Sequence, residues 1–345
     1  MDCTLNETQQ AVRENFERFF ENESPPARVR AAEPLGFDSG LWALLAGTGV
    51  VAMGVPEDEG GSGAGLAELV FVAREYGKRL APVPLVESVV AARLLAQFEP
   101  ARSADWYDQL LAGEKIATLA LRPAEHGGMR LVPAGAVADL VVALDGDRLL
   151  VSPIAGDPPR TSPENLGSQP LADCTLDSDA LLLASGDQAL AAYEIALAEW
   201  KLLTAAALVG LSEQAHAIAL DYVKIRKAFG IMIGSFQSVA HRIADDGVLI
   251  DGSYLLCLEA AWAADEKLRD AARLCSMAFI HAAETAGKTA GDALHLHGGI
   301  GFTMEGDIQL YFRRAKAWAL VYADPRQELQ RLAHLVIEAS EEEAR

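Results

Sequence analysis

Two short segments carry residues whose chemistry suits a ligand rather than a core. The first is Arg226-Lys227-Ala228-Phe229-Gly230, followed by Gly234-Ser235-Phe236-Gln237. Arg226 offers a planar fork of N–H donors that matches a phosphate, and Gln237 begins the next helical pattern. A basic pair ahead of a glycine is also the pattern of a plain helix C-cap, so this segment alone reads as an anion site or as a helix end. The second segment is His295-Leu296-His297-Gly298-Gly299-Ile300-Gly301-Phe302-Thr303-Met304-Glu305. Three glycines in four residues allow backbone to approach a ligand closely, and they equally suit a tight interhelical turn. His295 and His297 stand two residues apart and face different sides of a helix. No other Asp, Glu, His or Cys spacing suits a metal, and none is expected. The glycines from Gly60 to Gly65 do not form GxGxxG after a strand and read as a loop, not a dinucleotide cradle.

The elements that would position these segments are mainly helical. The sequence to about residue 113 reads as helices, starting with Thr4 as a cap and Glu7 as its partner three residues on. Further helices are expected over Ser39–Gly47, Ala67–Arg79 and Leu85–Gln97, with Val55–Gly63 as a loop. The middle changes character. Lys115–Leu121 reads as a strand, Asp139–Ser152 as a hairpin around Asp145-Gly146, Pro153–Pro170 as loop and Leu176–Ala184 as a last strand. From Asp187 the chain is helical again, with long stretches over Gln188–Arg226, Phe236–Asp265 and Leu268–Leu296, then Ile308–Tyr322 and Gln327–Ser340. The expected fold is mainly α with a small central β domain: an N-terminal helical domain at 1–114, a shortened middle β domain at 115–185 and a C-terminal four-helix bundle at 186–345.

Composition bounds the partners. The chain has 345 residues, with 29 Lys and Arg against 49 Asp and Glu, a net charge of −20. That balance argues against nucleic acid and anionic membrane as partners, since both need a basic footprint. The start, MDCTLNETQQ, shows no signal peptide, and the uncharged stretch Gly40–Pro56 is too short and glycine-rich to span a bilayer. Cys3, Cys174, Cys257 and Cys275 are scattered thiols, which points to a cytoplasmic setting. Trp262 and Trp318 read as packing residues, Glu305 as a helix-cap partner and the acidic tail Glu338–Glu343 as a solvated helix end.

Taken together, the two segments in this α-β-α layout resemble the acyl-CoA dehydrogenase family over nearly the whole chain. Trp42, Gly49, Val55-Pro56-Glu57 and Gly60-Gly61-Ser62-Gly63 match its N-terminal helical domain. Arg226-x-x-Phe229-Gly230 with Gln237, Gly298-Gly299-x-Gly301-Phe302-Thr303-x-Glu305 and Arg313-Arg314-Ala315-Lys316 match its C-terminal bundle. Glu75-Tyr76-Gly77-Lys78-Arg79-Leu80-Ala81-Pro82-Val83-Pro84 is similar to the version in heteromeric, steroid-catabolising members. The resemblance implies FAD as cofactor and α,β-dehydrogenation of an acyl-CoA. It also implies a flavin lying across a subunit interface, with the adenosine-diphosphate end of the neighbour's flavin contacted by Arg226, Phe229, Gln237, Gly298 and Gly299. The implied partner is a second acyl-CoA dehydrogenase chain in a heterotetramer. A non-catalytic interaction subunit and a self-sufficient homotetramer with a relocated base stand as alternatives.

Two departures from the family bear on chemistry. The middle-domain segment that lines the flavin ring, threonine-glutamate-proline and then glycine-serine-aspartate, is here Ala120-Leu121-Arg122-Pro123-Ala124 and Glu125-His126-Gly127-Gly128. The family's catalytic glutamate has two alternative positions, which fall on Tyr322 and, just before the basic Lys201, on Trp200. Neither an indole nor a phenol with a pKa near 10 takes an α-proton as a carboxylate does. Glu199 is turned away by one helical step of about 100°, and Asp324 reaches the first position only with a gap. No catalytic residue is assigned, and a sister chain is expected to supply the base.

Overall fold

The computed structural model describes residues 4–343. The chain packs as two compact units. One unit gathers Met1–Glu21, Val70–Leu80 and Lys201–Arg345, and the other Asn22–Leu69 and Ala81–Trp200.

The chain begins with α1 (Glu7–Glu23), α2 (Pro26–Ala31), α3 (Ser39–Ala46), α4 (Leu66–Lys78), α5 (Leu85–Ala96), α6 (Glu99–Arg102) and α7 (Tyr107–Leu111). The cap of α1 is not Thr4 with Glu7. Asn6 and Gln9 exchange side-chain to backbone hydrogen bonds at 2.8 and 3.2 Å, a capping box two residues later. In α3, Asp38 caps by accepting from the Leu41 N–H, while its carboxylate also meets Arg28 at 2.7 Å. Val55–Gly63 is a loop with a single 3-10 turn over Glu57–Glu59. Almost every residue of α5 is buried, and the helix packs against the first strand of the sheet.

Strands follow as β1 (Ala117–Leu119), β2 (Gly128–Val132), β3 (Leu140–Asp145), β4 (Arg148–Pro153), β5 (Ala172–Thr175) and β6 (Leu181–Ser185). One sheet runs β1-β3-β4-β6, with β1 and β3 parallel and the other pairs antiparallel. The hairpin turn is Gly146-Asp147, with Gly146 at φ +63°, the sense of twist that a two-residue hairpin loop requires. Strands β2 and β5 form a separate antiparallel pair that periodicity does not signal, because both are short and β2 carries an irregularity in its pairing. The strand expected from Leu176 starts only at Leu181. The Asp177 carboxylate accepts from the Asp179 N–H and sets a turn there first.

The remaining helices are α8 (Asp187–Ile225), α9 (Gln237–Asp265), α10 (Ala271–His297), α11 (Ile308–Ala317) and α12 (Pro325–Glu343), with a two-stranded ribbon of β7 (Lys227–Ala228) and β8 (Ile231–Met232) between α8 and α9. Helix α10 is central and packs on α9, α11 and α12. The expected helix to Tyr322 stops at Ala317 and continues as a 3-10 turn over Ala319–Val321. Within the first unit, α4 and α8 touch backbone to backbone. A Cβ on Gly77 would fall on the Ala207 carbonyl, and one on Gly210 on the Arg74 carbonyl.

Three sequence expectations need correction. Trp318 is buried and stacks on Tyr76 at 5.7 Å, but Trp262 is an exposed residue of α9 rather than a packing residue. Glu305 is fully exposed, and Asp307, not Glu305, stands at the N-cap of α11. By length and composition α8 and α9 could each cross a membrane, although 89% of the apolar window of α8 is buried inside the protein. The side chains of Glu338–Glu343 lie outside the described residues.

Candidate functional site

Helix α8 ends at Ile225, and the Arg226 N–H still donates to the Tyr222 carbonyl at 2.9 Å. The chain then reverses through Phe229-Gly230, with φ of +53° and +85°. The left-handed region is costly for an aromatic residue, yet Phe229 adopts it and is 96% exposed. Its ring meets Phe236 edge to face at 6.3 Å, and Phe236 is the N-cap of α9. Gln237 is the first residue of that helix and stands at its positive end. Among the described residues, the side chains of Arg226 and Gln237 are exposed and have no hydrogen-bond or ion-pair partner. An open groove of about 450 Å³ runs beneath the ribbon, between Val223 and Lys224 of α8, Met232 and Ser235, and Ile243 of α9.

The glycine segment caps α10. Its three glycines do different work. Gly298 sits at φ +60°, ψ −138°, a conformation open to glycine alone. Gly301 is needed for space, since a Cβ there would stand 2.7 Å from the Leu294 carbonyl oxygen. A Cβ on Gly299 would meet nothing, so its hydrogen leaves the backbone open to an approaching group. Ile300, Phe302 and Met304 are exposed beside it. The structure joins this segment to the first one: the Tyr222 ring stacks on His297 with centroids 4.3 Å apart.

The two positions aligned with a catalytic carboxylate are closed. Trp200 is 1% exposed, and its Nε1 lies 3.5 Å from Oε1 of Glu87 on α5. Burial raises the Glu87 carboxyl above the usual range, only partly offset by its own backbone N–H and the indole. Glu199 is turned away from Trp200 and forms a two-pronged pair with Arg93 at 2.8 and 2.9 Å. In the other unit, Tyr322 donates to Glu328 Oε2 at 3.2 Å and accepts from Arg331 at 3.0 Å. Oε1 of Glu328 accepts from Lys201 at 2.6 Å and Ser276 at 2.7 Å. Burial alone would raise Glu328, but these bonds and the charges of Lys201 and Arg331 outweigh it and hold the carboxyl below its ordinary value. Tyr322 is pushed up to about 12 by burial and by the Glu328 charge. Asp324 caps the start of α12 through its carboxylate and the Arg326 N–H.

Glu87, Arg93, Ser276 and Glu328 were not singled out by sequence. One signal pointed to a buried carboxylate, though not to Glu328 in particular. Lys201 is a lone cation in the apolar run from Trp200 to Leu211, and a buried lysine demands a carboxylate. Among the described residues no cluster of His, Cys, Asp and Glu suits a metal.

Comparison with known proteins agrees with this layout. Residues 6–114 match the N-terminal domain of acyl-CoA dehydrogenases, and residues 191–321 match their C-terminal domain. The chain is 33% identical over 343 residues to acyl-CoA dehydrogenase IpdE2 of Mycobacterium tuberculosis, covering 97% of this chain and 99% of that one. Among solved structures it is similar to the ChsE4-ChsE5 complex from Mycobacterium tuberculosis, at 27% identity and TM-score 0.87, covering 98% of this chain and 99% of that one. It is also similar to the Tcur3481-Tcur3483 steroid ACAD G363A variant, at 28% identity and TM-score 0.85, covering 98% and 99%. The fold is that of the acyl-CoA dehydrogenases.

Proposed function

Since the chain belongs to the acyl-CoA dehydrogenase family, we propose that it is one subunit of an FAD-dependent enzyme that introduces an α,β double bond into an acyl-CoA, with a sister chain supplying the catalytic carboxylate. The substrate class proposed is a steroid-derived acyl-CoA, which rests on similarity to a steroid ACAD and to IpdE2. A heterotetramer is the proposed assembly, supported by likeness to the two-chain ChsE4-ChsE5 complex. A cytoplasmic setting is proposed on the four scattered cysteines, which form no CxxC pair and of which Cys174, Cys257 and Cys275 are buried.

One contrast carries the proposal. The residues suited to a diphosphate are open and unpartnered, while the residues at the base positions are buried and tied up. Arg226, Gln237 and Phe229, with the open backbone at Gly298 and Gly299, fit the adenosine-diphosphate end of a flavin held by a neighbouring chain. The flavin-ring end is assigned to the sister chain. In the segment that would line it, the Ala120 N–H donates to Val142 and its carbonyl accepts from Tyr193 at 2.9 Å, so both backbone groups are already used. When bound, FAD accepts the β-hydride; this chain's part is to hold the diphosphate and wall the site.

For the relocated-base alternative, the carboxylate at hydrogen-bond distance from Tyr322 is Glu328. Its oxygens already serve Lys201, Ser276 and Tyr322, and its lowered basicity disfavours proton abstraction. The test is expression of the full chain alone and together with a sister acyl-CoA dehydrogenase chain, scored by flavin per chain and by turnover of acyl-CoAs, steroid ones included. Flavin and turnover are expected only with the sister chain. Turnover by this chain alone, without the sister chain, overturns the assignment.

A further inference from the structure

We propose that Tyr222 and His297 are positioning residues that hold the two halves of the diphosphate cradle in register, an inference that rests on the flavin reading above. The cradle is assembled from two distant stretches of chain: Arg226 and Gln237 on one, Gly298 and Gly299 on the other. A ligand that touches both needs their spacing held to a fraction of an ångström, which neither stretch provides by itself.

Tyr222 lies in the last turn of α8, four residues before Arg226, and the Arg226 N–H bonds to its carbonyl. His297 is the last residue of α10, directly before Gly298. Their rings lie 23° from parallel with centroids 4.3 Å apart, and the Tyr222 hydroxyl points at the His297 carbonyl at 3.5 Å. The imidazole is also tethered one turn back. Its Nδ1 is 2.7 Å from the Ala293 carbonyl, an acceptor only, so Nδ1 is the protonated nitrogen there. Gly298 has no side chain to fix its exit direction, and a glycine backbone has many conformations open to it besides the φ +60°, ψ −138° it adopts here. The stacked and tethered ring before it therefore sets where the glycine backbone starts.

Both rings are only partly buried, at the ends of helices whose middles make the core. Removing the stack should thus cost the bundle little and the cradle more. The experiment uses the full chain with its sister chain, comparing wild type, Tyr222→Ala, His297→Ala, the double variant and Tyr222→Phe. FAD affinity is read by flavin fluorescence. Each alanine variant is expected to bind FAD about 3–10-fold more weakly. The double variant should be no worse than the weaker single one, because both act through one stack. Tyr222→Phe keeps the ring and should bind like wild type. Unchanged FAD affinity in the alanine variants, or losses that multiply in the double variant, overturns the inference. A wild-type complex that binds no FAD overturns the flavin reading instead. Amide exchange without FAD then still tests the coupling: Tyr222→Ala should speed exchange in residues 226–236 and 298–303 together, and exchange faster in only one of them, or in neither, overturns it.

Discussion

At the scale of single residues, Arg226 separates a ligand role from a helix-end role. If its guanidinium meets a diphosphate, Arg226→Ala loses a charge-assisted contact of about 1.5–3 kcal/mol, and flavin retention should fall about tenfold or more. A helix-end role is worth only about 0.3–1 kcal/mol, so melting without flavin should hardly change. Flavin content of the purified variant decides between them. Glu87 yields a second prediction, with a defined sign. Its carboxyl is raised by burial, so the folded state keeps a proton that the unfolded chain gives up near its ordinary value of about 4.3. Its contribution is therefore complete below that value and is lost as pH rises through the folded value. Glu87→Gln keeps an acceptor for the Trp200 indole and removes the titration. The variant should melt progressively higher relative to wild type as pH is raised from 4.5 to 8, and melting curves across that range would show a constant gap if Glu87 were already charged.

At the scale of elements, two contacts decide how the bundle is held. Helices α4 and α8 approach so closely that position 210 has no room for a Cβ. Helix propensity by itself favours Ala over Gly by about 1 kcal/mol. Forcing a methyl against the Arg74 carbonyl should reverse that, and Gly210→Ala is expected to lose about 1–3 kcal/mol in a urea titration. Helix α12 is fastened through Glu328, whose carboxylate joins Lys201 of α8 and Ser276 of α10. Glu328→Gln leaves the Lys201 ammonium buried without its counter-charge, at an expected cost of about 3–5 kcal/mol. Because the folded carboxyl is held below its ordinary value, this contribution is present above about pH 4.3 and is lost as pH falls further. Wild type and variant should converge in stability toward pH 3, which acid titration followed by circular dichroism would measure.

At the scale of the whole molecule, apolar surface is left over. Val248, Leu255 and Trp262 stand seven residues apart on α9 and are all exposed, and Phe229, Ile300, Phe302 and Met304 add more at the two ligand segments. Apolar faces of this kind on a folded chain mark contacts with another chain. The protein is expected to scatter light as a mass well above 36.8 kDa at micromolar concentration with flavin present. A monodisperse particle of chain mass would contradict the proposed assembly.

Sequence alone determined what short-range chemistry and periodicity can encode. The long helices α8, α9 and α10, the hairpin at Gly146 and the glycine breaks after α8 and α10 were legible, because apolar spacing and glycine placement are local signals. The family resemblance implied Arg226, Phe229, Gln237, Gly298 and Gly299 as contacts, but the sequence did not show that Gly299 is open while Gly301 is crowded. Strands β2 and β5 were illegible, since each is stabilised by a partner distant in the chain, as Gly128 is by Thr175, rather than by its own pattern. The same holds for polar partners. That Glu199 pairs with Arg93, that Trp200 faces Glu87, and that Lys201 finds Glu328 are outcomes of packing between distant segments. Burial makes each such pairing obligatory without saying in advance which residue will meet it, and only the tertiary structure makes that choice.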